Sequence, residues 1–168
     1  MIFSCDSKDE ERKILLEEVS EMEKDLDNLK SRLVQNKIDT LSGLELSISS
    51  VLLRFKNNLA LTEIDSSLNK KMNDYKVIGK NLRQNHRIYS KALKAYDEEK
   101  IALKNLKYDI ENGLGEFDKY KDYISFEQQK VEIIEKLTES FVTEKNKNIK
   151  QFKSIHPELY KYSLEILK

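Results

Sequence analysis

The 168-residue chain has thirty basic and thirty acidic side chains, which make it 36 % charged with no net cationic field, against 39 % hydrophobic residues. Four Gly, one Pro and no Trp are too few punctuators for the turns of a compact α/β enzyme and suit a chain of long helices. A single Cys excludes an internal disulfide, and no segment forms an apolar run of membrane-spanning length.

In chain order, residues 1–7 read as a flexible tether and residues 8–168 as one helical-bundle domain. The opening places two apolar residues and a Ser ahead of Cys5, followed by the polar run Asp6-Ser7-Lys8-Asp9-Glu10-Glu11-Arg12-Lys13. This junction resembles the end of a bacterial lipoprotein signal, in which the Cys receives lipid and a polar tether follows. The resemblance implies lipid attachment at Cys5 and a place in the cell envelope, anchored without a spanning helix. It requires a basic start and an apolar core upstream of Met1. Otherwise Cys5 is a free thiol and the protein a cytoplasmic coiled-coil adaptor.

Leu15, Val19, Met22, Leu26, Leu29 and Leu33 recur at steps of four and three and predict a helix with a narrow apolar seam. Residues 35–43 weaken the pattern, and the capping-box spacing of Ser42 and Glu45 predicts a break or kink near Gly43. Leu41, Leu44, Ile48, Val51, Leu52, Phe55 and Leu59 then form a broader apolar face, whose Ser47, Ser49 and Ser50 read as packing features. Asp65, Ser66 and Ser67 suit a cap for the next helix. That central helix, residues 68–112, carries a seam of Leu68, Met72, Tyr75, Ile78, Leu82, Tyr89, Leu93, Tyr96, Leu103, Leu106 and Ile110, with His86 and Lys100 filling two places. Gly113 can close it in left-handed geometry. A short helix over residues 116–124 turns Phe117, Tyr120 and Tyr123 inward. A third long helix starts near Ser125 and carries Val131, Ile134, Leu137 and Phe141, with Ile149 and Phe152 extending its face. His156-Pro157 marks a restart, giving a short closing helix with Leu159, Tyr160, Leu164 and Leu167.

The predicted fold is all-α, an elongated antiparallel bundle of three long helices with coiled-coil character and short additional helices. The central helix would reach roughly 65 Å at about 1.5 Å per residue.

Charge is unevenly spread. Residues 1–35 hold ten acidic and six basic side chains, a net −4, whereas residues 68–95 hold Asp74 against eight basic side chains, a net +7. Lys76, Lys80, Arg83, Arg87, Lys91 and Lys94 form a stripe at helical spacing, the candidate polyanion-binding residues. Pairing of the stripe with Glu17, Glu21 and Asp25 of the first helix is the preferred explanation, with an external polyanion as the alternative.

No catalytic motif, cofactor or metal site is expected. His86 and His156 lie seventy positions apart, and Glu98 and Glu99 with Glu132 and Glu135 lack the Glu-x-x-His element of a carboxylate di-metal site. The sequence therefore points to a non-enzymatic structural or protein-binding helical protein whose partner is another protein.

Overall fold

The computed structural model describes residues 3–36, 38–58 and 66–167, with side chains from Lys8 onward. The expected side-chain role of Cys5, the apolar place of Leu59 and the cap at Asp65 lie outside the described residues. Among the described residues four α-helices account for nearly all of the chain, α1 (Phe3–Gln35), α2 (Asp39–Asn58), α3 (Ser66–Asn112) and α4 (Tyr120–Glu165), with a 3-10 turn at Phe117–Lys119. The chain is all-α with three long helices, as its periodicity implies.

Two compact units are built from these helices. The first comprises Met1–Gln35 and Ser90–Glu139, the second Asn36–Tyr89 and Ser140–Lys168. In the first, ion pairs fix the directions. Glu23–Lys107 at 2.8 Å, Asp27–Lys100 at 2.7 Å and Lys30–Asp97 at 3.6 Å run α1 antiparallel to α3. Glu11–Lys121 at 2.7 Å and Arg32–Glu139 at 3.7 Å run it parallel to α4. Its core joins Leu15, Val19, Met22 and Leu26 to Tyr96, Leu103, Leu106 and Ile110 and to Tyr120, Ile124, Val131 and Ile134. In the second unit, α2 contributes Leu41, Ile48, Val51 and Phe55, which are buried along with Tyr75, Ile78, Leu82, Phe141, Phe152 and Leu159. Gly79 faces α2 so closely that a Cβ there would lie 3.2 Å from the Ile48 side chain, which would have to shift slightly to admit it.

Several boundaries differ from the sequence reading, and the earliest is that α1 already begins at Phe3, within the stretch 1–7 that reads as a tether. The break expected within residues 35–43 falls at its early end, where α1 stops at Gln35 and α2 starts at Asp39; Gly43 itself lies inside α2, where Ser47 donates a hydrogen bond to its carbonyl. At the actual corner, the buried Lys145 ammonium donates to the Asn36 backbone carbonyl, so a side chain satisfies an oxygen that a continuing helix would have satisfied. No boundary falls at Ser125, because α4 already begins at Tyr120. The helix also runs through Pro157. That proline is exposed, while Phe152 and Leu159 on either side are buried, so packing holds the helix across one missing backbone donor. Leu159 and Ser163 are buried beyond it, whereas Tyr160, Leu164 and Leu167 are exposed.

The α3 terminus follows expectation. Gly113 has φ +64°, and the Leu114 amide reaches back to the Asp109 carbonyl at 2.9 Å. The buried Tyr120 hydroxyl lies 2.9 Å from the Asp109 oxygen and 2.5 Å from that of Leu114, pinning the turn.

Candidate functional site

The cationic stripe faces outward. Lys76, Lys80, Arg83 and Arg87 are exposed on the α3 segment of the second unit, and none forms an ion pair within 4.0 Å with a described acid. The reason is rotational. Tyr75, Ile78, Leu82 and Asn85 are buried on α3, so residues displaced by about half a turn point to solvent. Asn69, Asn73 and Gln84 are exposed with them, and Val77 is exposed beside Lys76 and Lys80. Lys91 and Lys94, on the α3 segment of the first unit, are also exposed; Lys94 lies 3.6 Å from Glu98, one turn further on.

This corrects the internal-pairing explanation of the charge asymmetry. The α1 carboxylates that cross to α3 are Glu23 and Asp27, and they meet Lys107 and Lys100. Asp27 also accepts from the Tyr96 hydroxyl at 2.6 Å, and these hydrogen bonds, Lys100 first, hold its carboxyl below the usual range. Glu17, Glu21 and Asp25 point to solvent.

Glu21 and Asp25 instead join Glu18 along one wall of an open groove of about 680 Å³, with Glu132 and Glu135 of α4 on the other. Met22, Leu29, Ile124 and Val131 contribute its apolar lining, and no lysine or arginine lines it. All five carboxylates are exposed, and none is within ion-pair distance of a described cation; the nearby Lys121 is held in its charged form first by its hydrogen bond to Glu11, with the field of Glu18 adding to it. Sequence reasoning missed this groove. Its signal was present in the spacing of Glu18, Glu21 and Asp25, which repeats the three-four step of the neighbouring apolar seam.

The four carboxylates considered for a di-metal site are not brought together. Glu132 and Glu135 line the groove, while Glu98 and Glu99 line a separate 230 Å³ cleft with Lys130 and Ile133. Among the described residues no three His, Cys, Asp or Glu side chains gather as a metal site. Glu99 is only 3 % exposed. Burial first, then the charge and hydrogen bond of Glu127, push its carboxyl up to about 7 against the opposing pull of Lys130. Lys130 lies 2.5 Å from Glu127 and 3.7 Å from Glu99.

The histidines serve packing. His86 is half-buried, 3.1 Å from Glu45, and the fully buried seam position beside it belongs to Asn85. His156 lies inside α4, where its ring stacks 4.3 Å from Phe152 and its Nδ1 is 2.5 Å from the Tyr75 hydroxyl. Burial lowers its affinity for a proton and raises the Tyr75 hydroxyl's, which suits a neutral imidazole accepting from the phenol. Among the described residues no helix is long and apolar enough to cross a membrane.

No family model, curated protein or solved structure matches this chain. Its functional reading therefore rests on its own surfaces.

Proposed function

We propose that the protein is a non-catalytic helical interaction module that docks an acidic protein surface through the cationic face of α3. The observation that carries this reading is the exposure of Lys76, Lys80, Arg83 and Arg87 without ion-pair partners among the described acids. Four like charges on successive turns of one helix repel one another, and a partner carboxylate on each relieves that repulsion. A protein is favoured because Val77 gives the face an apolar edge that a phosphate backbone would leave uncovered, and the face has no aromatic ring on which single-stranded bases could stack.

Fluorescence anisotropy with labelled polyglutamate and with duplex DNA, titrated across salt, tests this directly. The parent should bind polyglutamate at low ionic strength and release it as salt rises. Replacing Lys76, Lys80, Arg83 and Arg87 together by Gln should weaken that binding by roughly tenfold or more. Tighter, steeply salt-dependent binding of DNA would replace the protein reading with the polyanion one, and failure to bind either polymer would overturn both.

Envelope attachment through Cys5 is a separate proposal supported by the Phe3-Ser4-Cys5 junction. Mass spectrometry of the native N-terminus should find an acylated Cys5; an unmodified chain retaining Met1 would refute it.

A further inference from the structure

The molecule carries two surfaces of opposite sign whose charges form no ion pair within 4.0 Å with a described residue, and each has the shape the other needs. One is a ridge, with Lys76, Lys80, Arg83 and Arg87 along a single helix. The other is a groove between two helices, walled by Glu18, Glu21 and Asp25 on one side and Glu132 and Glu135 on the other. We propose that the cationic ridge of one molecule seats in the acidic groove of a second copy, so that the acidic partner of the preceding section is the protein itself; the inference rests on that docking reading.

The dimensions agree. Residues 76–87 of the ridge and residues 18–29 along the groove each cover roughly 16 Å at about 1.5 Å per residue. The charges agree as well, four cations meeting five carboxylates. Long Lys and Arg stems can lie over the apolar floor while their heads reach either wall, which buries methylenes and pairs charges in one contact. Other occupants satisfy only half of this arrangement. A phosphate backbone would match the ridge and be repelled by the groove, and a polyamine would do the reverse. A second copy brings both signs. The contact joins different patches on the two partners, so assembly ends when it becomes reciprocal or closes a ring, and otherwise extends as a chain.

Sedimentation velocity over a range of protein concentrations, at low and high ionic strength, supplies the test. The parent should gain mass with concentration at low salt and revert to monomer at high salt. Reversing the groove (Glu18→Lys, Glu21→Lys, Glu132→Lys) should abolish self-association and leave polyglutamate binding intact. Reversing the ridge (Lys80→Glu, Arg83→Glu, Arg87→Glu) should abolish both. An equimolar mixture of the two reversed proteins, each monomeric alone, should associate. Circular dichroism checks that each variant folds, and Gln replacements at the same positions serve wherever a reversal does not. A parent that stays monomeric at low salt yet binds polyglutamate overturns the pairing of copies and leaves the docking reading standing. Loss of polyglutamate binding in the parent overturns the docking reading itself. Association that survives groove reversal, or a mixture that fails to associate, overturns the pairing.

Discussion

Glu99 shows how much one side chain can decide. It occupies a buried position on α3 between Tyr96 and Leu103, and its carboxyl meets Glu127 and Lys130 of α4. The native protein holds the Glu99 proton up to about pH 7, whereas an unfolded carboxyl releases it near its ordinary value of 4.5. The native state therefore binds more protons between those values, and the contribution of this site to stability falls as pH rises through that window. Glu99→Gln keeps the shape and removes the titration. Urea unfolding at about pH 8 should find that variant more stable than the parent by about 1–3 kcal/mol, with the difference shrinking towards pH 4. A variant less stable than the parent at pH 8 would mean that the ionised carboxylate is well compensated by Lys130. Composition could not reveal this residue, because a buried glutamate and a solvated one are spelled alike. The apolar steps across Tyr96 and Leu103 allow position 99 or 100, and the sequence reading placed Lys100 in the seam. The structure puts Lys100 outside, on Asp27.

Among the helices, the same ambiguity recurs two heptads earlier. His86 was expected between Leu82 and Tyr89, and Asn85 is buried there, its side-chain amide 2.7 Å from that of buried Asn148. With those polar places restored, buried positions follow three-four steps along α3 from Tyr75 through Ile78, Leu82 and Asn85, and again through Ala92, Tyr96, Glu99, Leu103, Leu106 and Ile110. The α4 run of Ile134, Thr138, Phe141, Lys145, Asn148 and Phe152 behaves likewise. Helix type and most apolar core positions were thus legible from periodicity, because burial of large side chains dominates packing. Polar core members were not, since Asn85, Asn148, Glu99 and Lys145 meet partners on other elements, while buried Thr138 donates to the Ile134 carbonyl of its own helix. Asn85→Leu should strand the Asn148 amide and lower stability by about 1–3 kcal/mol, whereas Asn85→Leu with Asn148→Leu should recover most of it. Denaturant midpoints of the three proteins check this, and a double variant weaker than either single would show that the pair is not the relevant contact. The misplaced breaks have a similar cause. Gly43 and Pro157 are strong local punctuators, yet Gly43 is exposed within α2 and Pro157 is carried by buried neighbours, while the end of α1 has the Lys145–Asn36 contact, which no local pattern announces.

For the molecule as a whole, charge placement separates what sequence could say from what it could not. The net −4 of residues 1–35 and the net +7 of residues 68–95 were visible at once, and the regularity of the cationic stripe located it on one helical face. Their relation was not visible, because rotation of α3 about its axis decides whether cations meet neighbouring acids or water. The buried set from Tyr75 to Asn85 fixes that rotation and turns the stripe outward. In the docking proposal the stripe serves a partner and adds nothing to the stability of the fold. Urea unfolding of the Lys76→Gln, Lys80→Gln, Arg83→Gln, Arg87→Gln protein against the parent tests this most directly, at a protein concentration low enough that sedimentation finds the parent monomeric, so that lost self-association does not register as lost stability. The variant should keep a stability within about 0.5 kcal/mol of the parent or slightly above it, as like-charge repulsion is relieved. A loss of about 2 kcal/mol or more would place the stripe among the internal contacts of the bundle and contradict the claim.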